Sequence, residues 1–61
     1  MEKYIATFYG RTNGALGVDS QFSIALEIPA DTPSENIAHD LLIKAYGTHE
    51  HISNFKFRKA A

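Results

Sequence analysis

Phe22, Ile24, Leu26 and Ile28 alternate with Gln21, Ser23, Ala25 and Glu27, the period of two that a strand shows when one face is buried and the other is not. Pro29 ends that segment. Lys3 to Tyr9 is rich in aromatic and β-branched residues and predicts an earlier strand, apolar on both faces. A last strand is predicted from Ile52 to Arg58, with Phe55 and Phe57 on one face and Asn54, Lys56 and Arg58 on the other. Between the second and third strands the period lengthens, and Ile37, Ala38, Leu41, Leu42 and Ala45 fall on one helical stripe. The pattern predicts an α+β fold of order ββαβ. Its three-stranded, mainly antiparallel sheet carries one helix packed on one face.

The helix has marked ends. Thr32 is suited to the N-cap, Pro33 to the first helical position and Glu35 to the third residue of a capping box, while Gly47 is suited to a left-handed stop. Ile43 lies off the apolar stripe, on the side of His39 and bordered by Tyr46. Asn13-Gly14 is a strong two-residue hairpin signal because a type I′ turn needs positive φ at both positions. Such a turn pairs Ile5 with Phe22 and turns Ile5, Thr7 and Tyr9 towards the helix. A bulge at Gly14 or Gly17 shifts the register by one and turns Tyr4, Ala6 and Phe8 inward instead. In either register an apolar group remains on the face away from the helix, which calls for a cover.

Sixty-one residues allow one domain, spanning 1–61, and a chain this small buries only ~60% of its unfolded surface. With no cysteine there is no disulfide or thiolate metal site, so association with a second copy is the remaining common staple and a homodimer is expected. The amino-terminal residues have no basic segment leading into an apolar one, and no run is long enough to cross a bilayer. A cytoplasmic protein without a membrane partner is expected. The formal charge of −1 draws the chain to no polyanion as a whole.

Candidate chemistry is sparse. His49 and His51, at i and i+2 in a strand, would point the same way, and His39 could add a third ligand; but His39 lies two helical turns from the neighbourhood of His51, so no metal is expected. Solvated histidines at a helix-to-strand turn are the expectation. No Ser/His/acid set, carboxylate pair or phosphate-binding Gly-rich loop is present, so neither catalysis nor a cofactor is expected. Lys3, Lys56, Arg58 and Lys59, with Tyr9 or with Tyr4 and Phe8, could gather on the open face as in sheet-based RNA readers. Glu27 on that face opposes this.

Phe8-Tyr9-Gly10-Arg11-Thr12, Gly14-Ala15-Leu16-Gly17 and Ala45-Tyr46-Gly47-Thr48-His49-Glu50-His51-Ile52 together resemble a layout found in very short, mostly uncharacterised proteins of bacteriophages and mobile elements. The resemblance implies a homodimeric accessory or counter-defence protein that binds or inhibits a host protein, in the host cytoplasm if phage-encoded. It carries over no site residue. The leading expectation is a non-enzymatic protein-binding module, with Arg11, Ile43, Tyr46 and Tyr9 as contact residues because arginine and tyrosine dominate many interfaces. The alternative is a nucleic-acid binder using Lys56, Arg58 and Lys3.

Overall fold

β1 (Glu2–Thr12), apolar on both faces, takes the centre of the sheet, where each face has something to cover or offer. The computed structural model describes residues 1–60 and continues with β2 (Ser20–Ile28), α1 (Ser34–Thr48) and β3 (His49–Lys59). The sheet order is β2-β1-β3 with both pairings antiparallel, and α1 packs on one face. Ala6, Ile28, Ile37 and Leu41 form the buried cluster, flanked by Tyr4, Ile24, Leu26, Phe55 and Phe57. Phe8 and Ala45 are also buried. The molecule measures 39 × 19 × 15 Å. A 15-residue helix is only about 22 Å long, and its last carbonyls lie level with Asn13, at the start of the β1–β2 loop.

The hairpin register differs from the two-residue turn. Ile5 lies opposite Ala25 rather than Phe22, and Gly10 opposite Ser20, so the strands are joined by a seven-residue loop, 13–19. Asn13 does not have positive φ; Gly14 does, at 80°, and Ala15 N–H bonds Thr12 C=O at 2.9 Å, the arrangement of a type II turn rather than type I′. Gly17 supplies a second positive φ, of 113°. The pairing is displaced by three residues from that of the two-residue turn, not by the one of a bulge at Gly14 or Gly17, and it too leaves Tyr4, Ala6 and Phe8 towards the helix and Ile5, Thr7 and Tyr9 on the open face.

Both helix ends also differ from expectation. Pro33, in extended conformation, is the N-cap and no side chain caps the helix; Asn36 and Ile37 N–H groups both donate to its carbonyl. Thr32 is not the cap because Pro33, with ψ of 148°, is itself outside the helix, which starts one residue later than expected; Thr32 N–H closes a turn on Pro29 C=O instead. Gly47 stays helical, and the chain passes from Thr48 directly into extended His49. The last carbonyls are met from another element: Asn13 donates its backbone N–H to Thr48 C=O at 3.0 Å and its side-chain amide to Gly47 C=O at 3.4 Å.

β3 reaches its place through two irregularities. Its register on β1 slips between Thr7 and Tyr9 and again between Tyr9 and Arg11, and His51 and Asn54 there have φ of 58° and 52°. Each bulge adds a residue, so the inward positions become Phe57, Phe55, Ile52 and His49. Gly10 makes this crossing possible: a Cβ on it would stand 2.8 Å from the Glu50 carbonyl oxygen. His49 therefore leaves the solvated turn expected for it and packs on Phe22 and Phe8, ring centroids 4.5 and 5.2 Å away, with Nδ1 2.8 Å from Thr48 Oγ1. His51 remains exposed, 3.7 Å from Glu50, so the two imidazoles do not point the same way.

Candidate functional site

The hairpin loop is built from its base upward. Arg11 closes β1 and sends Nε to Asp19 Oδ1 at 3.0 Å, tying the two arms of the loop together. Asn13 is held by the end of the helix, and Gly14 N–H points to Glu50 Oε1 at 3.4 Å. Above this base, Ala15 to Val18 stand clear of the molecule. Leu16 is 98% and Val18 89% exposed, the most exposed large apolar side chains among the described residues. A loop attached at its base to both strand and helix thus presents two apolar side chains to water.

The four expected contact residues do not form one surface. Tyr9 is exposed on the open face and Arg11 follows it on the same side of β1, whereas Ile43 and Tyr46 are exposed on the helix, across the sheet. Arg11 is half-buried and its Nε is committed to Asp19, so within this fold it holds the loop. Leu16 and Val18 escaped the sequence reading because the short turn made them part of a strand arm. The apolar run Ala15-Leu16-Gly17-Val18 next to a second glycine is the signal that marks them.

The open face does collect the basic residues considered for nucleic acid. Arg58 lies opposite Ile5, Lys56 opposite Thr7 and Lys3 opposite Glu27, with Tyr9 farther along β1. Lys59 belongs elsewhere. It lies opposite Tyr4 and its Nζ is 2.9 Å from Glu2, whose hydrogen bond and charge hold the lysine above its ordinary pKa range. Tyr4 and Phe8 are likewise removed from this face, because both turn towards the core. Shallow depressions beside Tyr9, Asn54 and Lys56, and beside Ile5, Lys56 and Arg58, interrupt the face without forming a deep cleft.

Among the described residues no three of His, Cys, Asp and Glu are grouped to hold a metal ion, and no helix is long and apolar enough to cross a membrane. No protein-family model matches the chain, and neither a curated protein nor a solved structure matches it.

Proposed function

We propose that this protein is a small non-enzymatic protein-binding module, working as a homodimer, that engages a partner protein through the tip of the β1–β2 hairpin. The supporting observation is the pair Leu16 and Val18, exposed on a loop whose base is pinned by Arg11–Asp19 and by Asn13 on the helix end. Burying two such side chains gains roughly 1.5–3 kcal/mol each. With its base already pinned, only the tip of the loop has freedom to lose on binding, which leaves more of that gain as affinity. The resemblance to short phage and mobile-element proteins adds a host protein as the kind of target, and the host cytoplasm as the place. The test is capture of a partner from host extract by wild type and by a Leu16→Ser, Val18→Ser variant. The double variant should lose the partner while keeping its far-ultraviolet spectrum and mass, and undiminished capture by it would overturn the proposal.

A second reading has its own observation: Lys3, Lys56 and Arg58 share the open face with Tyr9, a mixture of cations and an aromatic ring suited to single-stranded nucleic acid. Steeply salt-dependent binding of an oligonucleotide, abolished by Lys56→Glu with Arg58→Glu and indifferent to Leu16, would favour it.

A further inference from the structure

The two outer edges of the sheet are unlike. β3 is broken by two bulges and carries Lys56, Arg58 and Lys59, the devices that keep a strand edge from accepting another chain. β2 has none of them. Its register on β1 is uniform from Gly10–Ser20 to Glu2–Ile28, it contains no proline and no basic residue, and Glu27 is its one charge. Phe22, Ile24 and Leu26 on its inner side are left half-buried.

The outward-pointing backbone of this edge already attracts a donor. Lys44 reaches down from α1 and gives its Nζ to the Ala25 carbonyl at 2.6 Å, over a depression lined by Lys3, Ala25, Leu26, Glu27 and Lys44. The carbonyl of Ala25 therefore faces away from β1, and so, by the alternation of a strand, do the backbone groups of Gln21, Ser23 and Glu27. A flexible ammonium holds a position that a strand N–H would fill.

We propose that β2 pairs antiparallel with β2 of a second copy, joining two sheets into one of six strands. This rests on the homodimer of the reading above and names its surface. With the two-fold axis at Ile24, the outward groups pair Ser23 with Ala25 and Gln21 with Glu27 of the other copy, all within the set that points outward. The inner side chains then meet in kind, Phe22 opposite Leu26 and Ile24 opposite itself, and Glu27 meets no like charge.

The arrangement makes a geometric demand. Ile24 and its mate form a non-hydrogen-bonded pair, whose Cα atoms stand about 4.5 Å apart, within disulfide reach. In a chain without cysteine, Ile24→Cys should cross-link into a covalent dimer under mild oxidation. Ser23→Pro, which removes an outward N–H and none from the β1 ladder, should convert the dimer to monomer with its far-ultraviolet spectrum retained. By sedimentation, wild type at micromolar concentration should report twice the 6.8 kDa chain mass. A wild-type dimer that persists in Ser23→Pro, together with an Ile24→Cys variant that fails to cross-link, would overturn the edge pairing but leave the homodimer standing. A wild-type monomer at ten times that concentration would overturn both. Should Ser23→Pro not fold, the cross-link decides.

Discussion

Gly10→Ala and Gly47→Ala add the same methyl group and should act in opposite directions. At Gly10 the new Cβ meets the Glu50 carbonyl oxygen at 2.8 Å, well inside the 3.4 Å at which ordinary contact begins, and the obstacle is backbone, which no rotamer change can move aside. Overpacking of this kind costs ~1–3 kcal/mol, and the loss of glycine's freedom in the unfolded chain returns ~0.4–1, leaving a net destabilisation of ~1–2 kcal/mol. At Gly47 the Cβ meets nothing within 4 Å and the residue is helical, so alanine should stabilise by ~0.5–1 kcal/mol. Because a domain of this size shifts its melting temperature by about 4–8 °C per kcal/mol, the two variants should melt roughly 6–24 °C apart. Thermal and urea unfolding followed by circular dichroism, at one fixed chain concentration because a dimer's stability depends on it, supplies the comparison. A Gly10→Ala protein as stable as wild type would show that β3 does not cross tightly over β1, and the account of its two bulges would fall with it.

Leu41 is fully buried and Ile43 is exposed on the same helix, so Leu41→Ala should cost ~2–5 kcal/mol and Ile43→Ala less than ~0.5 by chemical denaturation. Equal damage would refute the placement of the helix. Asn54 holds a left-handed conformation that a β-branched residue resists, so Asn54→Val should destabilise by ~1–3 kcal/mol while Lys56→Val, two residues on in regular strand, changes little. If both are tolerated alike in urea titration, the bulge is misplaced.

The alternation in β2 and the apolar stripe of the helix carried the α+β, ββαβ fold, because each reports which side chains leave water and little else. Turn geometry and strand phase depend on distant partners and were harder to read. Asn13-Gly14 offers a tight hairpin, yet Asn13 is recruited by the carbonyls at the helix end, and the strands part before Ala15. In β3, a spacing of two, three and three between Phe57, Phe55, Ile52 and His49 is the mark of two bulges, and Asn and His are the non-glycine types that tolerate positive φ. With the strand started at Ile52, His49 falls in a helix-to-strand turn and is expected in solvent. Of the candidate site, the basic open face was legible from strand parity, whereas the exposed loop depended on a register that only the complete sheet determines.

Placing the first strand in the middle of the sheet also governs the tempo of folding. Tyr4 is paired with Lys59 and the Lys3 carbonyl accepts from Ala60 N–H at 2.8 Å, so half of the central strand's ladder joins opposite ends of the chain. Such non-local pairings pay loop-closure entropy before they return free energy, even when the ladder starts at Thr12–His49, and should slow folding relative to the local β1–β2 hairpin. Until β3 docks, the nascent β1–β2 hairpin lacks Phe55, Phe57 and the second flank of its core. Docking of the eleven-residue last strand therefore completes the core.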